Sequence, residues 1–148
     1  LRDVPFETFI AKLPECRKQC GDRAVLRAFH IYADNDRVAK QVAALREGDF
    51  TTFLNLVGES GQSSWEYLQN VIPAGYKEHQ EVAVTIAAAK HFLGGKGAVR
   101  VHGGGFAGTV QAFVPVELLA GFKASMEAIL GEGRCHVLSI RPEGGAVL

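Results

Sequence analysis

The segment that most limits what this chain can fold into runs from Val99 to Val114 and reads V-R-V-H-G-G-G-F-A-G-T-V-Q-A-F-V. Gly103, Gly104, Gly105 and Gly108 fall within six residues, between two runs rich in β-branched and aromatic side chains. Glycine admits positive φ and close approach of other groups, at an entropic cost that an ordinary loop has no reason to carry. The six residues also fit G-x-G-x-x-G. A dinucleotide-binding turn needs a helix to open on the last glycine, whereas Thr109-Val110-Gln111-Ala112-Phe113-Val114 reads as strand and then meets Pro115. A P-loop needs Gly-Lys-Ser/Thr, and none follows. What remains is strand, glycine loop, strand, either a hairpin with spare glycines or a specialised surface.

Flanking segments supply helices. Phe6, Phe9, Ile10 and Leu13 form a helical stripe ending near Pro14, while Asp22 to Tyr32 fits helix or strand equally. Asp34 reads as the N-cap of a helix to Glu47, with Val38, Val42 and Leu45 on one side and Gly48 beyond it. Asp49 caps a second helix with Phe50, Phe53, Leu54 and Val57 as its apolar face and Gly58 as its stop, giving an αα-hairpin. Ser63 and Glu66 are spaced as a capping box for a short helix to about Val71, before Pro73. The longest helix is expected to open at Ala74 or Gly75 and to carry Val82, Ile86, Ala89 and Leu93 as far as Gly94-Gly95. A further helix over Val116 to Leu130 carries Leu119, Phe122, Met126 and Ile129, and Cys135 to Ile140 reads as a strand before the short Ala146-Val147-Leu148 tail. Helices on one face of a small antiparallel sheet make an α+β fold, expected to be ferredoxin-like with extra N-terminal helices.

With 148 residues and 47% apolar content, the chain suits one domain, 1–148, with a real core. Sixteen basic residues balance sixteen acidic ones, so no global field draws nucleic acid or an anionic membrane. Gly105-Phe106-Ala107 echoes part of an RNA-binding strand, but no basic residue precedes it and the following aromatics are missing. No apolar run reaches the roughly 18 residues of a membrane span, and the start carries no signal-peptide pattern, so a cytoplasmic protein is expected. Cys16, Cys20 and Cys135 are read as reduced thiols, and His30, His79, His91, His102 and His136 form no metal-ligand spacing. No nucleophile beside a base and no paired carboxylates are visible. A glycine loop without its own lysine, Mg²⁺ ligand or base offers backbone N–H groups to an anion but does not run phosphoryl transfer unaided.

Val101-His102-Gly103-Gly104-Gly105-Phe106-Ala107-Gly108 resembles the third motif, M-T-G-G-G-F-G-G, of the galactokinases, members of the GHMP family of small-molecule kinases. Arg27-Ala28-Phe29-His30 and Asn35-Asp36-Arg37-Val38 are similar to that family's R-A-x-H and E-N-x-R-V run. Gly58-Glu59-Ser60-Gly61, Trp65-Glu66-Tyr67 and Gly144-Gly145-Ala146 resemble its N-E-S-H, D-Y-E and D-G-A segments. The likeness covers most of Leu26 to Leu148. His102 stands where Thr is usual, Ala107 where Gly is usual, and Gly61 where His follows Glu-Ser.

The resemblance implies a two-lobed enzyme that moves the γ-phosphoryl of ATP to the anomeric hydroxyl of galactose with Mg²⁺. The family's first and second motifs, and the Asp and Arg that act on the sugar, belong to its N-terminal lobe and have no counterpart here. The chain is therefore expected to be a C-terminal lobe without its ATP-binding partner, consistent with a first residue that is not methionine. It is expected to hold no catalytic or metal-binding residue, to bind neither ATP nor Mg²⁺ alone, and to self-associate through the exposed lobe face. His102, Gly103, Gly104, Gly105, Phe106 and Gly108 would then line the phosphate and substrate cleft. His102 either donates toward a phosphate or a neighbouring loop, or ends the strand without a ligand. A stand-alone ferredoxin-like ligand-binding or regulatory module is the alternative.

Overall fold

The computed structural model describes residues 1, 3–106 and 108–144. In chain order these form α1 (Phe6–Ala11), α2 (Leu13–Cys20), α3 (Asp22–Glu47), α4 (Phe50–Ser63), α5 (Glu81–Leu93), β1 (Ala98–Val101), β2 (Val110–Phe113) and α6 (Leu119–Leu130). A π-helical turn over Ser64–Leu68 prolongs α4, and a 3-10 turn over Val116–Leu118 leads into α6. The α+β class holds, with a sheet of two antiparallel strands, Val101 facing Val110 and Ala98 facing Phe113.

β1 is covered on both sides. Val99 and Val101 enter a core with Val82, Ile86, Ala89 and Leu93 of α5 and Phe122 and Met126 of α6. The stripe expected on α5 is therefore the buried one, residue for residue, and each fully buried aliphatic there contributes roughly 1.5–3 kcal/mol. Arg100, out of phase with the two valines, faces α4. A second cluster joins Phe9 of α1 to Val25 and Ala28 of α3, with Phe29 and Tyr32 packed around it.

Several expected boundaries are corrected. Asp34 caps nothing, because α3 runs unbroken for 26 residues from Asp22 to Glu47, and no glycine or proline interrupts that stretch. α3, not α5, is the longest helix. Val38, Val42 and Leu45 lie exposed while Ala44 is buried, so the stripe read there is not the packed face. Asp49 does cap α4, accepting the Thr52 N–H at 3.0 Å, but the helix passes through Gly58 and Gly61 to Ser63. Ser63 thus sits inside a helix and forms no capping box. α5 opens only at Glu81, because the Gln80 amide donates to the Tyr76 and Lys77 carbonyls at 3.3 Å each and holds a non-helical turn. Residues 135–140 are not a strand: Val137, Leu138 and Ile140 are exposed and only Cys135 touches the core. Strand propensity expresses itself only where a neighbouring strand and a face to bury are available. The third strand of a ferredoxin-like sheet is therefore missing among the described residues. Ala107 and the 145–148 tail lie outside them.

Candidate functional site

The glycine segment is the tip of the β1–β2 hairpin. His102 is exposed, its N–H donates to the Thr109 carbonyl at 3.0 Å, and the Thr109 hydroxyl returns to the His102 carbonyl at 3.4 Å, closing the ladder below the loop. A Cβ placed at Gly103, Gly104 or Gly108 would meet nothing within 4 Å, so that side of the loop is bare backbone open to solvent. Gly105 is different. With φ at +74°, its hypothetical Cβ would collide with the Asn70 carbonyl oxygen and lie 2.7 Å from Asn70 Cβ.

Asn70 is the seat of the loop. It follows the π-helical turn, is 1% exposed, and its carbonyl accepts the Phe106 N–H at 2.9 Å. Two described non-glycine residues have positive φ, Gln69 at 54° and Phe106 at 55°, and this one hydrogen bond brings their neighbourhoods together. Such backbone persists only where the surroundings over-determine it, and it clusters at functional sites. The Asn70 carboxamide atoms and the Ser64 hydroxyl are buried without a partner among the described residues.

Beneath the hairpin lies a polar cluster built by α3, α4 and β1. The Asp34 carboxylate accepts the Ser60 hydroxyl at 2.7 Å and Arg37 Nη1 at 2.9 Å. The Ser60 Oγ accepts Arg100 Nη1 at 2.7 Å, and Arg100 Nε donates to the Val101 carbonyl at 3.1 Å. His30, 4% exposed, places Nδ1 3.0 Å from Ser63 Oγ and Nε2 3.4 Å from Asp34 Oδ2. Burial pushes the His30 pKa below its ordinary value; Asp34 opposes this, and Arg37 and Arg100 add to it. The ring is thus neutral near pH 7, with its proton assigned to the nitrogen facing Asp34 and Ser63 donating to the other. Ser63, His30 and Asp34 have the order of a hydrolytic triad, but Ser63 is 3% exposed and no substrate can reach its oxygen. The cluster holds elements together. It is not a nucleophilic centre.

Sequence spacing missed this cluster because the bonds that join its three elements span 26 to 40 residues. The usable signal was Arg100, one charge inside the apolar run Ala98-Val99-Arg100-Val101. His30, Arg37, Glu59 and Ser60 come from three of the six segments quoted for the family resemblance, and Arg37 Nε lies 3.7 Å from Glu59. Gly61 is explained here too: a Cβ would stand 2.8 Å from Arg100 Cβ and 3.1 Å from the Val99 carbonyl. Beside the cluster, a groove of about 400 Å³ opens between α4, α5 and β1, lined by Gly61, Gln62, Trp65, Glu66, Lys90 and Arg100. Among the described residues no group of three or more His, Cys, Asp or Glu side chains could hold a metal ion. No described helix is long and apolar enough to cross a membrane.

No family model matches the chain. Over 117 residues it is 33% identical to a galactokinase of Mannheimia succiniciproducens, 34% to one of Glaesserella parasuis and 33% to one of Actinobacillus pleuropneumoniae. In each case 79% of this chain aligns, and it spans 28% of the length of the curated relative it matches. Over those 117 residues the chain is therefore similar to the galactokinases.

Proposed function

We propose that the chain is the C-terminal lobe of a galactokinase-like sugar kinase of the GHMP family, a cytoplasmic enzyme that phosphorylates galactose or a related sugar at its anomeric hydroxyl with ATP and Mg²⁺. The observation that carries this reading is the glycine hairpin, seated on Asn70 with its outer side bare, in a chain whose relatives are galactokinases. Within the whole enzyme, Gly103, Gly104, Gly105, Phe106 and Gly108 form a shelf of backbone at the cleft, and His102 stands at its edge. The partner lobe supplies the phosphate-cradling loop and the groups that act on the sugar hydroxyl. What this chain's residues do is exclude bulk, fix the loop and leave room for phosphate and sugar.

Alone, the chain is inactive. Among the described residues no group of three or more His, Cys, Asp or Glu side chains could hold a metal ion, and the Ser63 hydroxyl beside His30 is buried, which is the physical ground for that expectation. It also self-associates through apolar surface left without its partner lobe, Val116, Leu138 and Ile140 being more than four-fifths exposed. Grafting the aligned 117 residues into a relative's galactokinase in place of its own segment tests the reading. Turnover of galactose by the graft, with none from the isolated chain in a coupled ADP-release assay, is expected. A graft that folds but neither binds nor phosphorylates sugar overturns it.

A further inference from the structure

The buried cluster has a geometry that mere cohesion does not require. Arg100 is half-buried, and among the described residues no carboxylate lies within 4 Å of it. A guanidinium that only stabilised a fold would be expected to pair with a carboxylate, since desolvating a cation is otherwise unfavourable. Arg100 instead spends its planar fork on two neutral acceptors: Nη1 on the Ser60 hydroxyl of α4, and Nε on the carbonyl of Val101. Val101 is the last residue of β1, and its side of the strand faces away from β2, because His102 and not Val101 bonds across the ladder to Thr109. The side chain wraps the free edge of β1 one residue before the glycine loop begins.

The other end of the bridge is equally fixed. The Ser60 hydroxyl has one proton, and with Arg100 donating to its oxygen that proton goes to Asp34. Asp34 is in turn held by Arg37 and flanked by His30. Gly61, next to Ser60, lets α4 come close enough for this to happen.

We propose that Arg100 is a positioning residue for the glycine-rich loop: it ties the last carbonyl of β1 to Ser60 on α4 and, through Ser60, to Asp34 on α3, and so sets where residues 103–108 stand. Its consequence for phosphoryl transfer, a correctly placed shelf beneath the phosphates, rests on the kinase reading. The coupling itself does not.

The test is therefore made on the chain as it is, by amide hydrogen exchange resolved by NMR, with no activity involved. The reporters are the His102 and Phe106 amides, bonded to Thr109 and Asn70, and the reference is Ala89 in the buried stripe of α5. Arg100→Gln is expected to accelerate exchange at His102 and Phe106 by about tenfold, with Ala89 changed by less than about twofold. Arg100→Lys is expected to restore both to within about threefold of wild type, since an ammonium still reaches Ser60 but does not present a fork to two acceptors. Should Arg100→Gln fail to fold, Ser60→Ala cuts the same bridge with the arginine in place and is expected to show the same local pattern. The proposal is overturned if the loop amides keep wild-type protection in a folded Arg100→Gln or Ser60→Ala chain. It is equally overturned if Ala89 accelerates along with them, or if lysine rescues nothing. None of these outcomes depends on whether the chain belongs to a working kinase.

Discussion

Gly105→Ala is the sharpest perturbation of the glycine loop. Alanine at a φ of +74° carries the left-handed penalty of roughly 1–2 kcal/mol. The new methyl group also collides with the Asn70 carbonyl and sits 2.7 and 2.8 Å from Asn70 Cβ and Cγ, all of them part of a residue that is 1% exposed and unable to step aside. The loop must lift, and lifting breaks the hydrogen bond from the Phe106 N–H to Asn70, worth about 1 kcal/mol net. The sum is about 2–3 kcal/mol, with any residual overlap adding to it. Two neighbours serve as controls. Gly103→Ala carries a φ of +64° but meets nothing within 4 Å, so only the backbone penalty of about 1–2 kcal/mol applies. Gly104→Ala has neither a positive φ nor a neighbour, and is expected within about 0.5 kcal/mol of wild type. Thermal denaturation followed by circular dichroism reads all three. At about 2–4 °C per kcal/mol for a chain near this size, Gly105→Ala lowers Tm by about 4–12 °C. Equal stability of the alanine variants at 104 and 105 would refute the seat on Asn70.

The remaining predictions concern the buried groups. Because burial lowers the His30 pKa, the stability it contributes is whole above about pH 6.5, its unfolded value, and is lost as pH falls below that toward the native value; urea midpoints between pH 7.5 and 5 should fall more steeply for wild type than for His30→Gln, and parallel curves would contradict the assignment. Asn70→Leu removes two buried polar atoms that have no partner among the described residues while leaving the carbonyl that holds Phe106, so it is expected to be neutral or to stabilise by up to about 2 kcal/mol, whereas a loss above about 1 kcal/mol in thermal denaturation would show that the carboxamide is bonded. Gly61→Ala would ordinarily gain about 0.5–1 kcal/mol inside a helix, but with Arg100 Cβ at 2.8 Å it is expected to lose about 1–3 kcal/mol, and the sign alone, read from the urea midpoint, decides.

The features legible in the sequence are those that a short stretch of chain determines. The hairpin around residues 103–108 follows from β-branched runs interrupted by glycine, and the buried stripe of α5 follows from a 3.6-residue period. The Asp49 cap needs only Thr52, three residues on. Periodicity does not say which stripe finds a partner: on α3 it marked Val38, Val42 and Leu45, which face solvent, and passed over His30 and Asp34, which face α4. Residues 135–140 failed for the same reason in a sheet setting, since no strand lies alongside them. The glycine loop was legible as a hairpin tip, but its seat was not, because the Asn70 carbonyl and the Phe106 N–H meet across 36 residues, a distance that no local signal spans.

Gly61 shows how a departure from a family's motif can be read physically. Among the galactokinase-like segments, this position departs from the usual histidine inside a helix, where glycine is about 1 kcal/mol worse than alanine, so local propensity argues against it. Its reason lies 39 residues away, in the Cβ of Arg100 and the carbonyl of Val99, which occupy the space a side chain would need. Since Ser60 precedes it and bonds Arg100 at 2.7 Å, the same close approach of α4 to β1 that excludes a side chain at 61 is what makes the bridge from Asp34 to the hairpin short enough to exist. A histidine there would push α4 outward and lengthen that bridge first. The departure at 61 and the position of the glycine loop are thus one structural choice, made at a point in the sequence remote from the loop itself.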